Sequence, residues 1–180
     1  TTLFRSHVLV ATESINADQR VVVVGAKSEE VTQEIAQYDG RVKTVLQERR
    51  GGTGHAVRLA LENSDNPDDT IVVVVAGDVP LLTGATLNRL ISACESSEVG
   101  AAVLTADVDD PHGYGRVIRD SNNGILKIVE EKDADSDERE VHEVNSSVYA
   151  FRLGPLKLAL AAITPNNAQG EEYLTDAIEL

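Results

Sequence analysis

Asp78 is the residue of this sequence best suited to bind a metal ion. It ends an apolar run, TIVVVVAGD (70–78), and Pro80 stops any further strand pairing two positions later. Gly77 allows a ligand to approach the backbone, and a carboxylate oxygen beside it suits Mg²⁺ held together with a phosphate. The alternative is that Asp78 only caps the following turn, and the sequence leaves both interpretations open.

A glycine-rich segment, QERRGGTGHAV (47–57), is the second candidate site. It places three glycines within residues 51–54, directly before a predicted helix. Such turns bring backbone N–H groups and the positive end of a helix to an anionic or polar ligand. The segment lacks the Gly-Lys-Ser/Thr of a phosphate-binding P-loop. The alternative is an ordinary helix entry with Thr53 as its cap.

Other polar segments also follow predicted strands. DDPHGYGRV (109–117) could be a plain tight turn, and IVEEKDA (128–134) a solvated run of charges. In HEVNSSVYAF (142–151), Asn145 could be a structural turn residue, and NNAQGEEYLTDAI (166–178) is a polar loop before a helix that starts at Thr175 or Asp176. The single cysteine, Cys94, predicts a buried structural thiol. The histidines lie at no metal-ligand spacing and are interpreted as structural: His7, His55, His112 and His142.

Strands and helices alternate in the elements that must position these residues. Continuous apolar runs at 20–26 and 70–78 predict strands buried on both faces of a parallel sheet, with further strands at 42–46 and 100–108. Helices are predicted at 28–38 with Ser28 as N-cap, at 55–63, and at 83–97 with Thr83 as N-cap. This alternation is typical of βαβ units with right-handed crossovers, and so of an α/β fold.

The pattern changes after residue 108. Strand-like stretches separated by turns, with a hairpin at 121–124, predict a mixed or antiparallel extension, and helices near 155–162 and 173–180 follow. Open α/β sheets bind ligands at the carboxyl ends of their strands, which is where the polar segments described above begin.

Composition narrows the classes of partner. The chain has 180 residues, a length that fits one domain. Its net charge of −14 disfavours binding to nucleic acid and to anionic membranes. An anionic substrate must therefore meet local positive groups or a metal ion. One cysteine excludes an internal disulfide and predicts a reducing, cytoplasmic location. The sequence contains no signal-peptide pattern and no apolar run of about 18 residues that could span a membrane.

Taken together and in this order, the motifs LQERRGGTGHAV, AGDVPLL, DDPHGYGRVIR, KIVEEKDA, EVNSSVYAF and NNAQGEEYLTDAI resemble one family. It is the uridyltransferase domain of the bifunctional N-acetylglucosamine-1-phosphate uridyltransferase/glucosamine-1-phosphate acetyltransferase. The resemblance runs from about Ser6 to Leu180. It implies an α/β fold with a Rossmann-like nucleotide-diphospho-sugar transferase sheet and helices on both faces, with residues 1–180 forming part of that domain.

The resemblance also implies a reaction and a set of site residues. UTP and N-acetylglucosamine-1-phosphate would give UDP-N-acetylglucosamine, used for cell-wall peptidoglycan, and pyrophosphate, with Mg²⁺ as cofactor. The implied uracil contacts are Gln47, Gly52 and Thr53; the implied nucleotide contacts are Ala76, Gly77 and Asp78, with Asp78 also the catalytic metal ligand; the implied sugar contacts are Gly115, Glu130 and Asn145. We expect Asp78 to face the same cleft as Gln47, Thr53, Gly115, Glu130 and Asn145, and we expect His55 only to start the helix.

The sequence departs from the family pattern at several places. It lacks the opening LAAGxGTRM loop and the following lysine, so we expect a sheet truncated at its first strand, with open edges and little or no turnover. A second metal-binding asparagine would lie past Leu180, and the trimer-forming acetyltransferase domain is absent, so we expect no trimer of this chain. Ser147 stands where the family usually has glycine, beside the expected sugar pocket. The alternatives are a non-catalytic nucleotide- or sugar-binding remnant and another sugar-1-phosphate nucleotidyltransferase, although Gln47 with Gly52 and Thr53 favours uridine.

Overall fold

The computed structural model describes residues 2–25, 29–95 and 100–180. In chain order its elements are α1 (Thr2–Glu13), β1 (Val21–Gly25), α2 (Glu29–Tyr38), β2 (Lys43–Gln47), α3 (Thr53–Leu61), β3 (Ile71–Val75), α4 (Gly84–Glu95), β4 (Ala101–Asp107), β5 (Arg116–Arg119), β6 (Ile125–Val129), α5 (Ser136–Arg139), β7 (Glu143–Arg152), α6 (Leu153–Ala162) and a 3₁₀ helix (Leu174–Ile178). Each predicted strand and helix therefore has a counterpart, and α1 and α5 are additional.

Strands β1 and β2 form a small parallel sheet of their own. Their register runs from Val21 opposite Lys43 to Gly25 opposite Gln47, so Gln47 lies at the carboxyl end of its strand. Helix α2 connects the two strands, which confirms the predicted βαβ unit.

The larger sheet is mixed, and β7 lies at its centre. Strand β3 pairs with one edge of β7 and β4 with the other, both antiparallel to it, and the β5–β6 hairpin joins β7 where Arg116 lies opposite Val144. The prediction that residues 70–78 form part of a parallel sheet was therefore wrong about the neighbouring strand. A continuous apolar run reports burial on both faces of a strand, and it does not report the direction of the strand beside it.

Both faces of the larger sheet are covered by helices. On β7, Val148 and Ala150 pack into a core cluster with α1 and α4, whereas Tyr149 and Phe151 pack into a second cluster with α3 and α6. The side chains of β3 divide between the same two clusters in alternation. This two-sided burial confirms the predicted α/β arrangement. Among the described residues, β1 pairs with β2 alone, and β3 pairs with β7 alone. Strands β1 and β3 therefore each have one open edge.

Two of the helices differ from the predictions, at the start of α3 and in the type of the final helix. The backbone N–H of Thr86 donates to Thr83 Oγ1 over 3.2 Å, which agrees with Thr83 as the cap of α4. Thr53 is not the cap of α3, because Gly52 occupies that position and no side chain caps the helix. The final predicted helix is a 3₁₀ helix at Leu174–Ile178. The expected cap Ser28 and the end of the helix predicted at 83–97 lie outside the described residues. None of the described helices is long and apolar enough to cross a membrane.

Candidate active site

The glycine-rich loop before α3 is held by a segment near the end of the chain. Gly54 N donates to Glu172 O and Glu172 N donates to Gly51 O, each over 2.8 Å. Leu174 N donates to Thr53 Oγ1 over 2.9 Å across 121 positions of sequence. We call this arrangement of residues 51–54 and 172–174 the clasp. It joins two of the polar segments that the sequence indicated as candidates.

The clasp explains why the loop is rich in glycine. Gly52 has φ 98° and ψ 176°, and a Cβ atom there would lie 2.3 Å from Glu172 O. A Cβ atom at Gly54 would lie 3.0 Å from the same oxygen. The backbone of Glu172 can therefore approach only because these positions carry no side chain, and Gly52 also needs a conformation that other residues rarely adopt.

Gln47 lies against the same loop. Its Nε2 donates to Gly52 O over 3.1 Å and lies 3.0 Å from Nδ1 of His55, a buried side chain in the first turn of α3. The three residues expected to contact uracil, which are Gln47, Gly52 and Thr53, are thus brought together. They stand at the carboxyl end of β2 and the start of α3.

The three residues expected to contact the sugar form a second group. Asn145 N donates to Gly115 O over 2.9 Å, and a Cβ atom built on Gly115 would lie 3.5 Å from Glu130 Oε2 and 3.6 Å from the Asn145 Cβ. Thr175 Oγ1 donates to Glu130 Oε1 over 3.1 Å. Because Thr175 directly follows Leu174, this bond ties the second group to the clasp.

Burial raises the pKa of Glu130 above the usual value for a glutamate. The hydrogen bond from Thr175 acts in the opposite direction, while the nearby carboxylates of Asp176 and Asp133 raise the pKa further. The pKa of Asp176 is also raised, by burial first and then by Glu179 and Asp133. This side of the site is thus acidic and partly desolvated, an environment that favours a polar, uncharged ligand over a phosphate.

Asn145 is buried and its side chain is largely committed to its own strand. Its Nδ2 donates to the Tyr149 hydroxyl over 2.6 Å, and its Oδ1 accepts from Ser147 N over 3.0 Å. One N–H of the amide remains for a ligand. Burial raises the pKa of Tyr149 well above its ordinary range, so this hydroxyl stays protonated.

Ser147 lies in an irregular stretch of β7. The register between β4 and β7 shifts between Val103 and Thr105, and Ser147 has φ 60°. This left-handed conformation favours glycine, which is the residue that the resembled family usually has here. Ala76 N donates to Ser147 O over 3.2 Å, which places the backbone after β3 beside the sugar group.

Asp78 is exposed two residues beyond Ala76, and none of the described contacts ties its carboxylate to the other candidate residues. Gly77 beside it is open, with no atom within 4 Å of the position that an added Cβ would occupy. Among the described residues there is no group of three or more side chains able to hold a metal ion. A single exposed carboxylate still fits Mg²⁺, since this ion commonly binds one or two carboxylates together with waters and substrate phosphates.

Positive charge near the site is limited. Arg116 is only 2% exposed and pairs with Glu131 over 2.8 Å, and Glu131 Oε2 also accepts from Gly113 N over 3.1 Å. This arrangement braces the turn before Gly115. Arg49 and Arg50, beside the glycine-rich loop, are exposed and form no ion pair within the described part of the chain.

A cavity of about 360 Å³ lies elsewhere, between α3 and α6. Its lining includes Leu59, Leu61 and Leu160 together with Arg58 and Lys157, and none of the candidate residues. We favour the group at the strand ends as the site, because polar atoms and glycine backbone converge there and the cavity lacks such convergence.

Several residues of the site could not be singled out from the sequence. Thr175 is predicted only as a helix start, yet its buried hydroxyl bonds Glu130. No local sequence pattern marks Glu172 or Tyr149 as part of the site. The contacts of Glu172 are with a segment that is distant in sequence, and the contact of Tyr149 depends on the irregular course of β7. The expectation that His55 only starts the helix omits its contact with Gln47.

An α/β sheet with a glycine-rich helix entry and an exposed carboxylate near its strand ends is typical of nucleotide-binding proteins. The chain belongs to the family of MobA-like NTP transferase domains, whose sequence pattern matches residues 2–146. Two solved structures share the fold: a UDP-glucose pyrophosphorylase complexed with UDP-glucose (TM-score 0.68, 13% identity, 98% of this chain and 73% of that one) and a putative glucose-1-phosphate thymidylyltransferase from Bacillus anthracis (TM-score 0.71, 18% identity, 97% and 68%).

Curated relatives at higher identity carry the name bifunctional protein GlmU. The protein from Streptomyces avermitilis is 46% identical over 173 residues, which cover 96% of this chain and 36% of that protein. The protein from Thermoanaerobacter pseudethanolicus is 43% identical over 173 residues, which cover 96% and 37%. The chain thus spans little more than a third of the length of these relatives.

Proposed function

We propose that this chain carries a uridylyl-transfer site that joins UTP to N-acetylglucosamine-1-phosphate, giving UDP-N-acetylglucosamine and pyrophosphate. The observation that carries the proposal is the continuous run of contacts from Gln47 and Gly52 through the clasp to Thr175 and Glu130. It supports one elongated site that could accept a base at one end and a sugar at the other. The family match and the GlmU relatives support nucleotidyl transfer.

The two ends of the proposed site suit different parts of the product. At the base end, Gln47, Gly52 and Thr53 offer an amide and backbone groups to an uncharged heterocycle. At the sugar end, Glu130 and Asn145 can bond hydroxyl and acetamido groups, and Gly115 lies beside both residues. A Cβ atom added at Gly115 would lie 3.4 Å from Ile128 Cγ2 and 3.5 Å from Glu130 Oε2, so Gly115 lies directly beside the Glu130 carboxylate.

In the proposed reaction, an oxygen of the sugar phosphate forms a bond to the α-phosphorus of UTP. The bond from that phosphorus to the bridging oxygen of the β-phosphate breaks, and pyrophosphate leaves. Ala76, Gly77 and Asp78 are proposed to lie along the nucleotide. Mg²⁺ bound at Asp78 would neutralise phosphate charge. Arg49 and Arg50 are cations of this chain available to the same phosphates, in a protein whose net charge is −14.

We further propose that the reaction takes place in the cytoplasm and supplies cell-wall peptidoglycan synthesis, and that this chain does not form a trimer. Light scattering coupled to gel filtration tests the last statement. A monomer is the expected result, and a stable trimer contradicts it.

Glu130→Gln and Glu140→Gln form a matched pair of variants for testing the function. Glu140 is exposed and lies outside the proposed site, whereas Glu130 lies at its sugar end. Isothermal titration with UDP-N-acetylglucosamine should show binding to the parent chain and to Glu140→Gln. Glu130→Gln should bind about 10-fold or more weakly, because a hydrogen bond to a charged group contributes roughly 1.5–3 kcal/mol. An equal loss in both variants, or no binding by the parent chain, contradicts the proposal.

A pyrophosphate-release assay separates the alternatives. Pyrophosphate release with UTP and N-acetylglucosamine-1-phosphate supports the proposed uridylyl transfer. Binding without any release supports a non-catalytic nucleotide- or sugar-binding remnant. Faster release with another nucleotide or sugar phosphate supports a different nucleotidyltransferase.

A further inference from the structure

The amide of Gln47 is fixed in one orientation by two neighbours. Its Nε2 lies 3.1 Å from Gly52 O and 3.0 Å from His55 Nδ1. A backbone carbonyl oxygen can only accept hydrogen bonds, so the NH₂ end of the amide, and not its oxygen, must face Gly52. One of the two N–H groups is thereby used.

The second N–H of Gln47 selects one tautomer of the His55 ring. Because it points to Nδ1, that ring nitrogen must supply a lone pair, and the ring proton must be on Nε2. The imidazole is held in place, since it is only 8% exposed and packs against Gly51. A Cβ atom at Gly51 would lie 2.4 Å from Nδ1, so a side chain at this position would force the imidazole to move.

This arrangement leaves the oxygen of the Gln47 amide free. No described residue donates a hydrogen bond to Oε1, and Gln47 is partly exposed at the end of β2. The backbone N–H groups of Gly52 and Thr53 likewise have no acceptor in the described chain. The loop therefore presents an acceptor and neighbouring donors in a fixed order.

A fixed order of acceptor and donor can distinguish two pyrimidines. Uracil presents an N–H donor at position 3 and a carbonyl acceptor at position 4, and cytosine presents an acceptor at position 3 and an amino donor at position 4. A side-chain amide that is free to flip, exchanging its oxygen and nitrogen, would suit either base. An amide that is fixed in one orientation suits only one of them.

We infer that His55 is a positioning residue that locks the Gln47 amide and thereby makes the base site selective for uracil over cytosine. The inference rests on the proposed function for the identity of the favoured base. The orientation of the amide itself stands on the contacts with Gly52 and His55 alone.

Two variants of His55 test the lock. In His55→Asn, the side-chain oxygen can occupy the position of Nδ1 and still accept from Gln47, whereas His55→Leu fills space without an acceptor. The readout is the ratio of the dissociation constants for UMP and CMP, measured by titration calorimetry on the full chain. The parent chain should favour UMP. His55→Leu should lower that preference about 3–10-fold, the equivalent of one hydrogen bond, and His55→Asn should retain most of it.

A separate measurement needs no ligand. Long-range ¹H–¹⁵N correlation NMR on the parent chain identifies which ring nitrogen of His55 carries the proton, and the signal that disappears in His55→Asn assigns it among the histidines. We expect the proton on Nε2, and a proton on Nδ1 overturns the lock. An unchanged UMP:CMP ratio in His55→Leu overturns the role in selectivity. If the parent chain binds neither nucleotide, the proposed function and the selectivity both fail, while the NMR result still decides the orientation of the amide.

Discussion

Replacing Gly52 by alanine should destabilise the protein more than any other single methyl group added to the glycine-rich loop. The change puts a Cβ atom 2.3 Å from Glu172 O, which is a backbone atom and cannot rotate away. It also forces alanine into φ 98° and ψ 176°. Either the loop or the segment at 172–174 must move, and the clasp between them opens.

The expected loss of stability is the sum of two contributions. A residue other than glycine in this region of backbone conformation costs about 1–3 kcal/mol. Moving Glu172 removes the backbone hydrogen bonds to Gly51 and Gly54, at about 1 kcal/mol each. Together these give about 3–5 kcal/mol, a large part of the roughly 5–15 kcal/mol that stabilises a typical domain.

Urea unfolding followed by far-ultraviolet circular dichroism measures this loss. Gly77→Ala is the matched control, because Gly77 has no atom within 4 Å of an added Cβ and does not have a positive φ. The control should change the free energy of unfolding by no more than about 0.5 kcal/mol. If Gly52→Ala lies within about 1 kcal/mol of the parent chain, the clasp does not hold the loop as described.

Three further substitutions test separate features. Ser147→Gly should raise the free energy of unfolding by up to about 1 kcal/mol. The substitution removes the strain of a left-handed serine, and this gain exceeds the free-energy cost of ordering a more flexible glycine. A lower urea midpoint contradicts this prediction. The pKa of Glu130 is raised in the folded chain. The free energy of unfolding should therefore fall as the pH rises from the unfolded pKa of 4.5 through the higher folded pKa, and Glu130→Gln should reduce this fall. An unchanged pH dependence of the urea midpoint in the variant counts against this prediction. Arg116→Met leaves Glu131 without its ion-pair partner and should lower the urea midpoint, with part of the loss recovered in the double variant Arg116→Met/Glu131→Gln. An unchanged midpoint in the single variant refutes the bracing role.

Local patterns in the sequence account for most of the elements. The apolar runs of β1 and β3 indicate burial, and the turn residues at 121–124 indicate the hairpin between β5 and β6. Both signals lie in neighbouring residues of the sequence. The grouping of Gly115, Glu130 and Asn145 followed from the family resemblance. The structure brings the three residues together, although Gly115 precedes β5 and Asn145 lies near the start of β7, so neither stands at the carboxyl end of a strand.

Features that depend on distant segments could not be predicted from the sequence. The antiparallel pairing of β3 with β7 joins residues 71–75 to residues 148–152, and no local signal specifies that partner. The clasp joins Thr53 to Leu174, and the same contact replaces the capping role expected for Thr53. The lock on Gln47 needed a histidine eight residues away and a glycine with room for its ring. The expected position of Asp78 in the same cleft stays a prediction.

A crystal structure of the chain with UDP-N-acetylglucosamine tests the central claim most directly. We expect the uracil to lie within hydrogen-bonding distance of Gln47 and the Gly52–Thr53 backbone. We expect the sugar to lie against Gly115, Glu130 and Asn145, with the phosphates between these groups on the side of Asp78. A ligand found instead in the cavity between α3 and α6, or bound with base and sugar reversed, would contradict the account.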